Sequence, residues 1–410
     1  MQAPIAIQPR DLRELVDAIG GAAQHGGTLQ VRGGGSKDGI GRIGGTTHCL
    51  ELTGYSGVID YSPSELVITA RAGTLLAEIE SLIAAEGQML AFEPMDYGPL
   101  SGAAPGHATL GGVLATNTSG PRRIASGAAR DHFLGFEAVS GRGEVFKAGG
   151  RVVKNVTGYD LPKLMAGSWG TLAVLTEVTV KVMPRPRTAA TVLIAGLSDQ
   201  AAAAAMSRAM GSTAEVTGAA HLPAPLARRI PVSTLASAGM SLTALRVEGF
   251  GPSVAVRIEV LKDLFSTVGE IVVNDEDSTR TLWRFLRDAG PFTSDDRALW
   301  RISLPPMNGW KIPAALDDVA ADWFFDWAGG LVWLAVPCGD DAMAPVLHEA
   351  AQRLGGHATL VRAPLSVRNI VGSFPLQTAG LAALCQRVKS MFDPKDVLNP
   401  GRMATASHPA

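Results

Sequence analysis

The chain has 410 residues, which is long for one hydrophobic core, so two domains are the expected organisation. Hydrophobic residues make up 46% of it and charged residues 18%, a globular and not a disordered composition. A formal net charge of −2 leaves no electrostatic footprint for nucleic acid, and Cys49, Cys338 and Cys385, with no Cys-x-x-Cys spacing among them, support neither an iron–sulfur cluster nor a zinc ribbon.

Met1 to Arg10 lacks the basic-then-apolar layout of a signal peptide, so a reduced, cytoplasmic chain is expected. After Pro9, the spacing of Leu12, Leu15, Val16 and Ile19 predicts a helix that stops near Gly20-Gly21. Leu29 to Val31 reads as a strand leading into Arg32-Gly33-Gly34-Gly35-Ser36-Lys37. Thr46 to Leu52 is β-prone, and strands at 58–60 and 66–70 flank a turn at Ser62-Pro63-Ser64. Thr74 is placed to cap a helix with Leu75, Leu76, Ile79, Leu82 and Ile83 on one face, ended by Gly87. A second glycine stretch, Ala108-Thr109-Leu110-Gly111-Gly112, runs on to Asn117-Thr118-Ser119-Gly120. A hairpin through Gly141-Arg142-Gly143 and a β-rich run over 172–182 follow, and Pro184-Arg185-Pro186 marks the first domain boundary.

Beyond it, strands alternate with helices. Strands are expected at 191–195, 242–247, 299–304 and 331–336, and helices over 199–210 (capped by Asp199), 253–268 and 277–289. Together they predict an antiparallel sheet with helices on one face. A last helix over 379–391 precedes Val397-Leu398-Asn399-Pro400-Gly401-Arg402. The apolar stretch from Trp323 to Cys338 is too short for a bilayer, so no direct membrane insertion is expected and any membrane association would come through partners.

Both glycine stretches offer backbone N–H groups with little side-chain bulk in front of them, which suits a diphosphate as well as a tight turn. Gly39-Ile40-Gly41-Arg42-Ile43-Gly44 matches the dinucleotide fingerprint by letter, but a β-prone segment follows where that fingerprint must open a helix. His348-Glu349 lacks a second histidine four residues on, no Gly-Lys pair forms a Walker loop, and the histidines do not cluster into a metal site. Arg122, Arg123 and Arg130 face a cofactor phosphate, an acidic substrate, solvent or an interface. The aromatic knot of Trp323, Phe324, Phe325, Trp327 and Trp333 reads as core or subunit contact. His357, after Gly355-Gly356, is the histidine to test for proton handling, against the alternative of an ordinary loop-to-strand residue.

Arg32-Gly33-Gly34-Gly35-Ser36, Ala108 to Gly112, Gly158-Tyr159-Asp160, Gly167-Ser168-Trp169-Gly170-Thr171-Leu172 and Leu398-Asn399-Pro400-Gly401 resemble, in that order, the FAD-binding module of the vanillyl-alcohol oxidase / p-cresol methylhydroxylase superfamily. Gly120-Pro121-Arg122-Arg123, Lys154 to Leu161 and Leu299 to Pro305 are similar to the FAD-binding subunit family of bacterial glycolate oxidases (glycolate dehydrogenases). The resemblance implies an α+β architecture: a two-subdomain PCMH-type FAD-binding domain over 1–187, an antiparallel α+β cap domain for substrate or subunit contact over 188–378, and a C-terminal segment, 379–410, returning to the FAD domain. It implies that the pyrophosphate lies on the amides of Gly33 to Lys37 beside Arg32, near Thr109, Gly111 and Gly112. Asn117, Ser119, Gly120, Gly158, Tyr159, Gly170 and Thr171 complete the implied FAD contacts, with Asn399 and Arg402 closing the site. The implied chemistry is oxidation of glycolate to glyoxylate within a complex that has a larger FAD-containing catalytic subunit and an iron–sulfur subunit.

Two departures bear on this. Ser36-Lys37 stands where covalent members carry a histidine, so dissociable FAD is expected. No His-rich cap segment occurs between Pro184 and Leu376, and no stretch of sequence supplies both a base for a hydroxyl and cations for a carboxylate. A self-sufficient oxidase of a small hydroxyacid or alditol using His357, and a flavin-fold scaffold without redox activity, are the alternatives.

Overall fold

A computed structural model describes residues 4–42, 45–151, 158–316 and 319–403. Ile43-Gly44 of the fingerprint-like run and Lys154-Asn155-Val156-Thr157 of the family motif lie outside them. The chain forms two compact units, one of residues 1–119, 127–185 and 376–410, the other of 120–126 and 186–375.

In the first unit, parallel strands β1 (Ile5–Ile7), β2 (Leu29–Arg32) and β3 (His48–Glu51) form a sheet in the order β1-β3-β2. Helix α1 (Leu12–His25) packs Leu15 and Ile19 against Leu29 and Leu50. It runs through Gly20-Gly21 and ends only at Gly26, whose φ of 70° makes the left-handed stop. Gly20 and Gly21 have ordinary helical backbone and open space beside them, so nothing there breaks the helix.

A second, antiparallel sheet holds β4 (Val58–Ser62), β5 (Val67–Arg71), β6 (Phe133–Ser140), β7 (Val145–Gly149) and β8 (Ala173–Lys181) in the order β4-β5-β8-β6-β7. Helix α2 (Leu76–Ala85) buries Leu76, Ile79 and Ile83 on it, while Leu75 and Leu82 stay exposed. Thr74 does not cap α2: its hydroxyl donates to Arg71 O at 2.7 Å and accepts from Gly57 N at 2.9 Å, which fixes the β5 exit instead. The second glycine stretch opens a short helix, α3 (Leu110–Ala115), with Thr109 as its cap.

The second unit is one antiparallel sheet of β9 (Thr188–Ala195), β10 (Gly218–Leu222), β11 (Leu242–Gly249), β12 (Ile271–Asn274), β13 (Ala298–Ser303), β14 (Asp322–Asp326), β15 (Leu331–Val336) and β16 (His357–Arg362). Their spatial order is β12-β9-β11-β10-β14-β15-β13-β16. Helices α4 (Asp199–Met210), α5 (Gly251–Phe265) and α7 (Ala344–Arg353) share its main core. Helix α6 (Glu276–Arg287) does not: Trp283 Nε1 donates to Thr191 Oγ1 at 2.9 Å, and Thr191 alternates with core residues Ala190 and Val192. The helices therefore lie on both faces, not one. Ser198, not Asp199, caps α4 through Ala201 N, which frees Asp199 to accept from Trp323 Nε1 at 2.7 Å.

The aromatic knot is core, as its composition suggests, because Phe324 and Phe325 alternate across β14 and are both buried. Helix α8 (Ala379–Phe392) returns to the first unit, seating Val388 and Phe392 on its core. Among the described residues no helix is long and apolar enough to cross a membrane.

Candidate functional site

Strand β2 stops pairing where Leu52 N donates to Arg32 O at 2.9 Å. The five amides that follow, Gly33 to Lys37, have no acceptor among the described residues. The loop closes on itself through Asp38 N to Gly35 O and Ile40 N to Lys37 O, each 3.1 Å. Arg32 holds it from below: Nε pairs with Asp38 at 2.9 Å and Nη1 with Glu51 at 3.0 Å. A Cβ on Gly35, where φ is 77°, would run into that guanidinium. Arg32 is thus engaged by two carboxylates and acts as a strut for the loop.

The second glycine stretch works differently from the expectation of free donors. Leu110 N donates to Thr74 O and Gly111 N to Ala72 O, both at 2.9 Å, while Gly112 N meets Thr109 Oγ1 at 3.2 Å. The glycines there permit close approach of chains: a Cβ on Gly111 would sit 2.6 Å from Ala72 Cβ. The same reason applies to Gly34, whose added Cβ would strike the His107 carbonyl and not the cleft.

The C-terminal return clamps this arrangement. Asn399, at φ 44°, accepts from Val31 N at 2.8 Å and donates from Nδ2 to Trp169 O at 2.8 Å. Buried Asp393 prepares it by accepting from Val397 N at 2.9 Å and Leu398 N at 2.8 Å, while Lys389 Nζ donates to Leu398 O and Thr171 O. Arg402 Nη2 then donates to Lys37 O at 2.9 Å, and its Nε is buried without an acceptor among the described residues.

The result is a partly open cleft with room for about 90 Å³ of solvent. Lys37, only 7% exposed, reaches to 5.4 Å from the Tyr97 ring centre. Burial pushes its pKa down to about 8, with Asp96 acting in the opposite sense and the Arg402 charge adding to the fall. Burial likewise lowers the Arg402 pKa and raises that of Asp38, in the latter case against the pull of Arg32 and Arg402. Two cations poorly served by water, five amides without acceptors and an orphaned guanidinium nitrogen are what an anionic diphosphate would satisfy. The residues present therefore fit FAD.

Of the expected contacts, Arg32 to Lys37, Thr109, Gly111, Gly112, Gly170 and Arg402 line the cleft. Asn399 lines a smaller neighbouring pocket with Arg42 and Arg402. Other residues are not brought to the cleft wall. Asn117 Oδ1 accepts from Arg130 N, Ser119 Oγ from Ala129 N, and the Thr171 hydroxyl donates to Ser168 O, so each is spent on local backbone. Gly158 is a turn glycine at φ 86°, and Tyr159 is 89% exposed. Gly120 belongs to the second unit, where its carbonyl accepts from Trp327 Nε1. His357 also lies in the second unit, at the start of β16. Leu52 and Ala72 were not named as contacts from the sequence, and Trp169 only as part of the 167–172 motif, yet all three line the cleft. Trp169 sits at φ 55° with Arg402 5.5 Å from its ring centre, and a backbone conformation of that kind leaves no mark in a tryptophan's identity.

Residues 3–149 match the family model described as FAD binding domain. The chain is 36% identical over 391 residues to glycolate oxidase subunit GlcE of Escherichia coli, covering 95% of this chain and 96% of that one. Against glycolate oxidase subunit GlcD of Bacillus subtilis it is 25% identical, over 97% of this chain and 88% of that one. The crystal structure of p-cresol methylhydroxylase superposes with a TM-score of 0.71 at 14% identity, covering 98% of this chain and 88% of that one, which shows a shared fold. With GlcE matched nearly end to end and the FAD-binding fold in place, the chain belongs to the GlcE family of glycolate oxidase subunits.

Proposed function

We propose that this chain is the FAD-binding E-type subunit of a glycolate oxidase complex, an oxidoreductase acting on the CH–OH group of glycolate to give glyoxylate. The observation that carries the reading is the near full-length likeness to GlcE together with a cleft whose amides and cations suit a diphosphate. FAD held here would supply a two-electron acceptor, and the partners proposed for the chain are a larger FAD-containing subunit and an iron–sulfur subunit.

The chain's own residues do the holding. The amides of Gly33 to Lys37 would donate to the diphosphate, and buried Lys37 together with Arg402 would neutralise it. Arg32, Asp38 and Glu51 fix the loop's shape, and Asn399 ties β2 to the Trp169 turn so that both sides of the cleft keep their spacing. The flavin is held without a covalent link, and acid precipitation is expected to release it intact.

The test is reconstitution. Glycolate-dependent reduction of an artificial acceptor by the assembled subunits should disappear when this chain is omitted and return when the FAD-loaded chain is added back. Full activity without it would contradict the assignment.

A further inference from the structure

Helix α8 is 14 residues long and has no buried residue. Its hold on the first unit gathers at its C-terminal end. There Val388 and Phe392 rest on the core, the Phe392 ring centre lies 5.7 Å from that of Phe146, and Lys389 Nζ donates to Thr171 O at 2.7 Å and Leu398 O at 3.0 Å. Ahead of that anchor every residue from Leu376 to Arg387 is exposed, and Thr378 gives the helix no side-chain cap.

The exposed part is apolar. Leu381, Leu384, Val388 and Met391 recur three and four residues apart, which lines them along one stripe of the helix. Val388 meets the core, while Leu381, Leu384 and Met391 leave 49%, 47% and 71% of their surface in solvent. Helices of about 12–15 residues are marginal in water unless an apolar face is packed, and Gly380 weakens this one further.

Charge narrows what covers the stripe. Residues 376–392 contain no Asp or Glu. Lys389 is paired with Asp393 and Asp396, whereas Arg387, three residues after Leu384 and four before Met391, has no ion pair or hydrogen bond among the described residues. Two copies of α8 laid on each other would bring cations together with no carboxylate to separate them, which disfavours a second copy of this chain. A lipid surface is a poor match as well, because helices of that kind carry several Lys and Arg on the polar face, and the face opposite the stripe is Ala383, Gln386 and Ser390.

We propose that the stripe of α8 is the surface on which the larger FAD-containing subunit docks, through an apolar helix that sets a carboxylate against Arg387. The proposal rests on the glycolate oxidase subunit reading for the partner's identity. A chain of the GlcD kind aligns with 97% of this one, so such a partner brings a counterpart of α8. Two chains of one fold pack most simply about a two-fold axis with like surfaces facing, and a counterpart helix that carries an acid supplies what a second α8 lacks. Because α8 runs directly into the return that carries Asn399 and Arg402, a subunit seated on it also braces one side of the FAD cleft.

The test uses the purified FAD-loaded chain and the separately purified larger subunit, with the dissociation constant read by calorimetry. Leu384→Asp should weaken binding by about thirtyfold or more and Arg387→Glu by about tenfold, with Arg387→Lys weakening it less. Ile59→Glu, at an exposed apolar position on β4, should bind like the wild type. Cys385, an exposed free thiol on α8, gives a readout without substitution: its alkylation should slow by about tenfold or more once the larger subunit is added. No binding by the wild type, unchanged affinity in both Leu384→Asp and Arg387→Glu, or Cys385 alkylation at an unchanged rate would each overturn the proposal. So would protection of Cys385 by the iron–sulfur subunit alone, by anionic phospholipid vesicles alone, or by self-association of the chain seen in sedimentation. The flavin spectrum of each variant reports its fold separately, and a wild-type chain that retains no flavin would count against the FAD reading and not against the docking surface.

Discussion

Lys37 carries an ammonium group into a place where little water follows, and this gives the site a pH dependence of definite sign. Its pKa is about 8 in the folded chain against 10.5 for the free side chain. Between those values the unfolded chain holds the extra proton, so this group favours folding of the FAD-free protein more as pH rises from about 8 to 10. FAD binding goes the other way, because the diphosphate is drawn to the charged form. The dissociation constant for FAD should stay level from about pH 6 to 7.5 and rise towards pH 9.5, and Lys37→Met should remove the slope. A level constant across that range in the wild type would show that Lys37 does not face the cofactor.

Gly34 is the other residue whose role is sharp at this scale. Because its added Cβ meets the His107 carbonyl, Gly34→Ala should destabilise the FAD-free chain by about 1–3 kcal/mol as the two loops are forced apart. Gly39→Ala, with nothing within 4 Å of the new atom, serves as the control and should leave the melting temperature nearly unchanged. Equal melting temperatures for the two variants would contradict the close approach of the loops.

At the scale of elements, the C-terminal return and the Gly120–Ser126 segment are held by buried charge. Removing the Asp393 carboxylate strips acceptors from Val397 N and Leu398 N and leaves Lys389 without its close partner. Asp393→Ala should therefore cost about 3–5 kcal/mol and lower FAD occupancy through the displaced Asn399, as read by denaturant melts and flavin absorbance. In the second unit, Arg122 pairs with Glu248 at 2.7 Å, both nearly buried. Burial alone would raise the Glu248 pKa, but Arg246, then the hydrogen bond and charge of Arg122, hold it at about 2. Since the unfolded value is 4.5, this stability is present above about pH 5 and is lost as pH falls through 2. Glu248→Gln should flatten that part of the acid melting profile, and an unchanged profile would mean the pair contributes nothing.

Elements also show why parts of the fold were legible in the sequence and others were not. The hairpin of β6 and β7 and the long strand β8 are rich in β-branched and aromatic residues, and glycines mark the hairpin turn, so local pattern sufficed. Strand β14 was hidden because Asp322-Trp323-Phe324-Phe325-Asp326 buries residues on both faces and shows no alternation. Helix α1 outran its expected stop because glycine in a helix costs less than the packing of Leu15, Ile19 and Ala23 returns. In the cleft, loop glycines were readable from spacing. What Arg32, Thr109 and Gly34 each touch depends on chain partners far away in sequence, and no local pattern encodes that.

For the whole molecule, the chemistry gathers in the first unit, which presents both a cleft built of amides and cations and the exposed apolar stripe of α8. FAD binding in the first unit's cleft is tested most directly by the visible spectrum of the purified full chain. After incubation with FAD and removal of the excess by gel filtration, about one flavin per chain should remain and be released intact by acid. A chain that keeps no flavin absorbance after this treatment would contradict the account.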